Sequence, residues 1–452
     1  MAGGNFDINV GKERPGTYVN VKANKQQKPK GSVRGIAVVP LIGYDWGPNG
    51  EFVKLSVDSP DAAIHKLGRS IYDDNEHMLL VREIFKNAIT CFVYIINPGV
   101  VAKATGGDGL TITAAYPGAR GNAIKVSCAT NIRGSFDVTV YLGTDIVEVY
   151  ENLKTAKDLI AASNKRYVVF TSTTPDKALT AFASLSLSGG TNGTSDNAAV
   201  MKFLDKVEGI RFHTMCLPTD ESTIQTACIE KIMMLRTEAG RWTQAVMPNC
   251  STADNEGIIN VTNAVILEFG EETKTLSVAQ TCAWVAGATA AASKVESLTY
   301  HEYDGAISIV GEKTNEEAKL AIQKGEFFFS MSDSGTVVVE YDINTLHTFT
   351  SEKTADYAKN RIIRVYDSFS EDLALTFPPN KFDNESDAWL IMEGLGRALL
   401  QQYDDAGAIK DVDLENDFYV DQSRSMGDVT YFNVGIQAVD SSEKLYFSVS
   451  TK

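Results

Sequence analysis

Histidine is the side chain best suited to proton transfer and metal binding at neutral pH, and this sequence contains five copies. They lie in five separate predicted elements, at His65, His77, His213, His301 and His347. None belongs to an H-E-x-x-H pattern or has a neighbouring cysteine or carboxylate at metal-ligand spacing. The sequence therefore predicts structural histidines and no metal site.

Three glycine-rich stretches could bind calcium, a phosphate or a dinucleotide, but each lacks a necessary part. GGDGLT (106–111) occurs once and lacks the next aspartate of calcium-binding repeats, so a tight turn is predicted. SGGTNGTSDN (188–197) has no lysine at Walker-A spacing and fits a linker with a helix N-cap. Gly394 and Gly396 lie inside an amphipathic helix and predict close packing. No cofactor is expected.

One enzymatic hypothesis stays open. The sequence has no G-x-S-x-G elbow, and the acidic residues around 404–415 are explained most simply as a solvated loop. A soluble multidomain α/β enzyme would carry its site at strand ends within 191–344. His213 and Asp220, near a predicted strand end, are the first candidates for such a site.

Composition limits the classes of partner. The 452 residues carry a formal net charge of −16, which argues against a nucleic-acid backbone or an anionic membrane as the main partner. The most apolar runs are far shorter than the roughly 20 residues that cross a bilayer. No secretory signal peptide is predicted, so we expect the protein to stay in the cytosol after synthesis. The six cysteines are scattered, as reduced core thiols would be.

The hydrophobic pattern predicts a multidomain protein of mixed α/β and α+β class. Buried strands and helices alternate over the first hundred residues, and short alternating strands from LTITAAY to DIVEVY then predict a β-rich insertion. From about residue 197 the alternation of strands and helices returns, which predicts a mostly parallel sheet covered by helices. Two amphipathic helices follow, at about 352–370 and 385–403. The second places Ile391, Leu395, Ala398 and Leu399 on its apolar face.

The N-terminal stretch RPGTYVNV is a predicted strand without a local partner. Thr17, Val19 and Val21 lie on one face of an extended chain, and Tyr18 lies on the other. The flanking segments are rich in glycine, asparagine and lysine and supply no hairpin partner. Such a strand must pair far along its own chain or with another molecule.

The last nine residues, KLYFSVSTK, alternate in the same way. Leu445, Phe447 and Val449 fall on one face, and Tyr446 and Ser448 fall on the other. The chain is therefore predicted to end, as it begins, in a strand.

Six stretches spread along the chain resemble contractile tail sheath proteins of phages and of phage-tail-like bacteriocins. They are ERPGTYVN, GGDGLTITAAYPGARGNAIKV, SLSGGTNGT, AWVAGATAAASKVESLTY, INTLHTF and KNRIIRVYDSF. Their order and spacing fit nearly the whole chain, and the set carries the resemblance because no single stretch is diagnostic.

The resemblance implies a core domain built from both parts of the chain, with the outer domains as insertions and with terminal arms that link subunits. The implied boundaries are an N-terminal arm at 1–21, core parts at 22–95 and 345–440, a β-rich inserted domain at 96–190, an intermediate α/β domain at 191–344 and a C-terminal arm at 441–452.

The resemblance also implies a non-enzymatic subunit that polymerises helically around a tail tube in an extended metastable state. Contraction would drive the tube through a target cell envelope. Further copies of the chain, the tube protein, the baseplate and the tail terminator would be its partners, with no nucleic acid and no membrane insertion. Assembly would take place in the host cytoplasm, and the product would be a virion or phage-tail-like particle. A tube or baseplate component fits the length and the multidomain pattern less well.

Two sets of residues would carry these contacts. The terminal arms would each complete a sheet in a neighbouring subunit by β-augmentation. Their contact residues would be Thr17, Tyr18, Val19, Val21, Leu445, Phe447 and Val449. The helix at 385–403 would face the tube, with the cations Lys381, Arg397 and Lys410 in or around it. A helix buried wholly in its own domain is the alternative.

Overall fold

The computed structural model describes residues 2–4, 16–18, 34–270 and 272–451, and the structural statements that follow concern these residues. The chain forms two compact units. The smaller unit contains 372–437 with the described residues before 32, and the larger unit contains the described residues of 32–371 and 438–451.

The described residues form β-strands and α-helices of very different lengths. The strands are β1 (Ala2–Gly4), β2 (Gly16–Tyr18), β3 (Ile36–Ile42), β4 (Phe52–Ser56), β5 (Thr90–Ile96), β6 (Lys103–Thr105), β7 (Leu110–Ala114), β8 (Ile124–Thr130), β9 (Phe136–Leu142), β10 (Asp145–Leu153), β11 (Val168–Ser172), β12 (Phe182–Ser186), β13 (Thr214–Cys216), β14 (Gln244–Pro248), β15 (Ile258–Val261), β16 (Ala264–Phe269), β17 (Glu272–Thr275), β18 (Ala306–Val310), β19 (Glu326–Phe327), β20 (Phe329–Met331), β21 (Val337–Val339), β22 (Ile409–Lys410), β23 (Phe418–Val420), β24 (Phe432–Val434) and β25 (Gln437–Ala438). The helices are α1 (Ile64–Leu67), α2 (Glu76–Phe85), α3 (Ala156–Ala162), α4 (Asn197–Lys206), α5 (Ser222–Thr237), α6 (Val278–Ala291), α7 (Asn315–Gln323), α8 (Asn360–Thr376) and α9 (Ser386–Asp405).

A seven-stranded sheet organises the larger unit. Its order is β19-β15-β14-β13-β3-β5-β4, and every neighbouring pair is parallel except β4 and β5. Parallel neighbours need long crossover connections, which helices usually supply. The mostly parallel, helix-covered sheet predicted from the sequence is therefore present, and the mixed α/β class is confirmed.

Successive side chains of the sheet enter opposite hydrophobic cores. Along β3, Ala37 and Val39 belong to the core that includes residues of α2 and α6, whereas Val38 belongs to the core with α4 and α5. Helix α6 is buried around its whole circumference, and its Trp284 stacks on Tyr303 with ring centroids 4.4 Å apart. The sheet is thus covered by helices on both faces.

The grouping of strands differs from the predicted core domain. The resemblance groups 22–95 with 345–452 and treats 191–344 as a separate α/β domain. In the structure, β3, β4 and β5 join β13, β14, β15 and β19 in one sheet. Strands buried on both faces are all continuous apolar runs, so their sequences do not specify which strand lies beside which. The predicted domain boundaries stay a prediction.

The β-rich insertion contains two antiparallel sheets, with orders β10-β9-β8-β12 and β11-β7-β6. Their apolar faces share one core, in which Tyr150 of the first sheet meets Phe170 of the second at a ring-centroid distance of 5.9 Å. The alternating strands predicted from LTITAAY to DIVEVY are confirmed as β7 to β10.

Helix α9 forms one wall of the smaller unit, beside the β23–β24 hairpin. Phe377, Phe418 and Phe432 form an aromatic cluster with ring centroids 5.5–5.9 Å apart. Gly396 packs so closely that an added Cβ would lie 2.1 Å from the Phe418 ring, whereas a Cβ on Gly394 would meet nothing within 4 Å. The close packing predicted for both glycines is therefore correct for Gly396 alone.

Two predicted features of the C-terminal third need correction. The first predicted helix, 352–370, begins later, at Asn360, because Lys359 is extended and bridges to Ile343. Ile391 and Ala398, both predicted on the apolar face, lie on the exposed side of α9, whose buried face contains Met392, Leu395 and Leu399. The stretch WLIM has apolar residues on every side of the helix, so periodicity alone did not fix the buried face.

The two α9 glycines give a matched test of this packing. Gly396→Ala should lower the free energy of unfolding by about 1–3 kcal/mol, because the new methyl group must displace the buried Phe418 ring. Gly394→Ala should raise it by about 0.5–1 kcal/mol, because alanine favours the helix and meets no neighbour. Urea unfolding of the subunit measures both. Equal effects would show that α9 does not pack against β23 in this way.

Candidate assembly surfaces

The C-terminal segment, defined here as residues 444–451, has no helix or strand in the structure. The exposed fractions of Leu445, Phe447 and Val449 are 66%, 83% and 89%. Large apolar side chains exposed in a row are typical of an interaction site. Their predicted burial in a neighbouring subunit stays a prediction.

Glu443 precedes this segment and is held on several sides. Its Oε1 accepts hydrogen bonds from the hydroxyl groups of Ser297 (2.8 Å), Thr299 (2.7 Å) and Ser441 (2.9 Å). Its Oε2 forms an ion pair with Nζ of Lys359. The Glu443 side chain is 8% exposed. We call these five residues the Glu443 cluster.

Lys359 binds the chain at a second point. Its Nζ lies 3.1 Å from Oδ2 of Asp440 and 4.6 Å from the ring centroid of Tyr341. Burial would lower the pKa of Lys359, but hydrogen bonds to Glu443 and Tyr341 outweigh it and raise that pKa. Burial would likewise raise the pKa of Glu443, but the hydrogen bond from Lys359 and those from hydroxyl groups hold it below its usual value. Both groups are therefore charged at neutral pH.

A buried ion pair lies behind the Glu443 cluster. The Thr299 hydroxyl that donates to Glu443 also accepts a hydrogen bond from the backbone N–H of Asp342, at 3.0 Å. Oδ2 of Asp342 lies 2.6 Å from Nη2 of Arg364, and both side chains are buried. A continuous hydrogen-bonded path therefore connects Glu443 to α8, which carries Arg364.

The N-terminal candidates are described only in part. Thr17 and Tyr18 lie in β2, which pairs in parallel with β1 over three residue pairs. This corrects the prediction that the strand lacks a local partner, because the Ala-Gly-Gly sequence of β1 is too glycine-rich to be recognised as a strand. Within the described chain no third strand joins this pair. Val19 and Val21 lie outside the described residues.

Helix α9 carries an exposed apolar stripe. Leu390 is 68% exposed and Ile391 is also exposed. Gly394, Arg397 and Ala398 follow at helical spacing, so all five lie on one side of the helix. We call them the α9 surface. Sequence reasoning identified Arg397 and missed the apolar members, because it assigned Ile391 to the buried face.

The three predicted tube-facing cations differ in their surroundings. Nη2 of Arg397 lies 3.3 Å from Oε2 of Glu393, one helical turn away, so its charge is partly compensated. Nζ of Lys381 donates to the carbonyl oxygen of Thr376 at 3.3 Å. Lys410 is exposed in β22. The three lie in one unit, as predicted, and their contact with a tube stays a prediction.

The residues of the enzymatic alternative do not form a site. His213 immediately precedes β13 and is buried, whereas Asp220 follows that strand and is exposed. Nδ1 of His213 accepts a hydrogen bond from the backbone N–H of Ile36 at 3.1 Å, so the proton of the neutral ring is on Nε2. Oε2 of Glu371 lies 3.9 Å from this Nε2. Burial is the main cause that lowers the pKa of His213 to about 3, despite the nearby Glu371. This histidine is a neutral structural residue.

Other features expected of enzymes, metalloproteins or membrane proteins receive no support from the described residues. They bring together no group of three histidine, cysteine or acidic side chains suited to a metal ion. None of their helices combines the length and apolarity that a membrane span requires. The stretch at 188–197 contains Asp196, whose side chain caps α4, as predicted.

Three family models match consecutive parts of the chain. The phage tail sheath protein beta-sandwich domain matches residues 96–192, the phage tail sheath protein central domain matches 193–345, and the phage tail sheath C-terminal domain matches 352–452. Together these matches cover most of the chain.

Full-length relatives agree with the family models. The phage-like element PBSX protein XkdK of Bacillus subtilis is 34% identical, with 99% of each chain covered. The solved sheath tail protein of Desulfitobacterium hafniense is 35% identical with a TM-score of 0.81, covering 95% of this chain and 99% of that one. The contracted helical sheath of the anti-feeding prophage shares the fold, with a TM-score of 0.55 at 12% identity, covering 98% of this chain and 100% of that one.

The buried His213 gives a test by pH. Its lowered pKa means that the unfolded chain binds a proton below pH 6.5 while the folded chain does not, so stability falls as the pH drops from 6.5 toward about 3. In His213→Gln this contribution, at most about 1.4 kcal/mol per pH unit, should disappear. Urea unfolding between pH 7 and 4.5 measures the slope of both proteins. Identical slopes would mean that His213 is protonated in the folded state.

Proposed function

This chain belongs to the phage tail sheath protein family, whose members are structural proteins and not enzymes, and we propose that it polymerises helically around a tail tube. The enzymatic alternative receives no support, because His213 is buried and neutral, whereas Asp220 is exposed. The subunit would assemble in an extended metastable state and then contract. Packing free energy, not nucleotide hydrolysis, would drive the tube through the target envelope.

The exposed C-terminal segment carries the proposal. In a strand its side chains would alternate between two faces, so the exposed Leu445, Phe447 and Val449 could be buried together if the segment adds to a sheet in another subunit. Each side chain could contribute roughly 1.5–3 kcal/mol at most, and each backbone hydrogen bond a net ~0.5–1.5 kcal/mol. One link is therefore modest, but a helical array contains many.

The N-terminal strands would supply a second link. The β1–β2 pair presents the unpaired backbone groups of a two-stranded sheet within the described chain, which is the edge that β-augmentation uses. Thr17 and Tyr18 would contribute from β2; Val19 and Val21, the other predicted contact residues of this arm, lie outside the described residues. Each subunit would then be joined to neighbours through both ends of its chain.

The α9 surface is the proposed contact with the tube. Leu390 and Ile391 supply apolar area, and Arg397 supplies a charge that Glu393 compensates only in part. An exposed glycine in a helix costs about 1 kcal/mol relative to alanine. Among the described residues, a Cβ on Gly394 would meet nothing within 4 Å, so a close approach by another backbone would explain the glycine. Lys381 and Lys410 would add longer-range attraction.

Solved structures of the same fold support two of the proposed partners, further sheath subunits and a baseplate. An anti-feeding prophage structure of the same fold is described as part of a baseplate, and another as a helical sheath. By analogy, this subunit would contact further copies of itself, a tube protein, a baseplate and a tail terminator. Assembly would take place in the host cytoplasm and yield a virion or a phage-tail-like particle.

Phe447→Asp tests the donated strand. The substitution places a charge on the face that must be buried between subunits, so sheath assembly should be lost. The melting temperature and circular dichroism of the monomer should stay nearly unchanged, because Phe447 is 83% exposed there. Sedimentation and negative-stain electron microscopy report assembly.

Tyr446→Asp is the matched control, because it adds the same charge on the opposite face of the strand. It should assemble much better than Phe447→Asp. Equal loss in both variants would contradict a strand with one buried face, and a large loss of monomer stability would show that the segment belongs to its own subunit.

Leu390→Asp combined with Arg397→Glu tests the α9 surface. The pair should reduce assembly on purified tubes at low salt at least tenfold, roughly the effect of losing one buried contact and one charge pair. Arg133→Glu, at the turn between β8 and β9, makes the same charge change in the β-rich insertion and should have little effect. Unchanged binding of the double variant to tubes would show that another surface faces the tube.

A further inference from the structure

The exposure of the side chains rises sharply after residue 443. The Glu443 side chain is 8% exposed and makes four polar contacts, whereas Leu445, two residues later, is 66% exposed. The chain is therefore attached through residues 440–444, and its apolar side chains become exposed directly afterwards.

Four successive features fix the direction of the chain at this point. Asp440 and Glu443 both pair with the Lys359 ammonium group, and the Ser441 hydroxyl donates to the Glu443 carboxylate. Nζ of Lys444 lies 5.7 Å from the Tyr341 ring centroid. Two attachments three residues apart restrict rotation as well as position, which one attachment would not do.

We propose that Glu443 is a positioning residue, which sets the point and direction at which the C-terminal segment leaves the subunit so that the segment meets its neighbour in register. This inference rests on the proposed function of that segment as a donated strand. A slip of one residue, about 3.3 Å, turns every side chain of a strand to the opposite face. With a loose exit, Leu445 and Phe447 would face solvent as often as the neighbour's core.

The connections of the Glu443 cluster would also resist a pulling force on the C-terminal segment. Through Thr299 and Asp342, Glu443 is connected to Arg364, which is fully buried in α8. Displacing Glu443 would leave the Lys359 ammonium with Asp440 as its one remaining carboxylate partner in the cluster and would remove the acceptor of three hydroxyl groups. A pull on the segment is therefore resisted by the core of the subunit.

Glu443→Gln in the full-length chain tests the inference. The amide keeps the shape of the side chain and an acceptor oxygen for the hydroxyl groups, but it loses the charge that faces Lys359. A nitroxide on Ser442→Cys reports local order, and it can be attached selectively because all six native cysteines are buried, which raises their pKa values. We expect a clear gain in nitroxide mobility and a rise of about tenfold in the protein concentration needed for assembly.

Three further variants distinguish loss of the Glu443–Lys359 ion pair from a general effect of charge and from poor folding. Glu352→Gln removes the same charge at an exposed position outside the cluster and should change neither readout. Asp440→Asn removes only the second attachment and should give a smaller change, which keeps the test valid if Glu443→Gln folds poorly. Exchanging the pair, with Lys359→Glu and Glu443→Lys together, should restore part of the assembly.

A chain that ends at residue 443 distinguishes the two proposals. If this truncated chain assembles normally, the segment is not a donated strand and the proposed function of the segment fails. If truncation abolishes assembly while Glu443→Gln assembles like the unaltered protein, or leaves nitroxide mobility unchanged, the segment functions as proposed and the positioning role of Glu443 is wrong.

Discussion

The pairing of β3 with β5 on one side and with β13 on the other is the interaction on which the larger unit depends. It joins strands from the first hundred residues to strands from the middle of the chain, and it buries β3 on both faces. The β-rich insertion lies in the chain between β5 and β13. Its entry and exit are themselves joined, because Val100 bridges to Thr191 and Lys103 to Ser188. A domain attached through two adjacent strands can vary without disturbing the sheet that carries it.

Because this sheet satisfies its own backbone groups, the surfaces proposed for assembly are largely independent of subunit stability. The side chains of the C-terminal segment and of the α9 surface contribute little to either hydrophobic core. A subunit can therefore fold first and assemble afterwards. It also follows that substitutions on these surfaces separate folding from assembly, which is rarely possible where an interface completes a core.

Much of the fold could be predicted from the sequence, and the failures have physical causes. Alternation identified the strands of the β-rich insertion, and continuous apolar runs such as IAVVPLI identified buried strands. The neighbours of those strands could not be predicted, because hydrogen bonding between similar apolar strands carries no local signature. Strand β1 was missed because Ala-Gly-Gly has no strand propensity, and its pairing is decided by geometry.

For the candidate surfaces as well, local patterns could be predicted from the sequence, whereas contacts between distant residues could not. The alternation of Leu445, Phe447 and Val449 is visible in the sequence, because a period of two needs only adjacent residues. Lys359 and Glu443 are 84 residues apart, and only the fold brings an isolated lysine to an isolated glutamate. Ile391 and Ala398 were not distinguished from core residues, because a helix with apolar residues on all sides gives no preferred face.

If no nucleotide hydrolysis drives contraction, as proposed, the contacts between subunits must themselves supply the free energy. If contraction uses free energy stored during assembly, every subunit must contribute a small difference between two packed states, and no link can break during the change. A strong, rigid link would oppose the movement, and a weak, unanchored one would be lost. An exposed segment that follows a carboxylate with four polar contacts would meet both requirements, because the segment could change its angle while Glu443 stays bound to the larger unit.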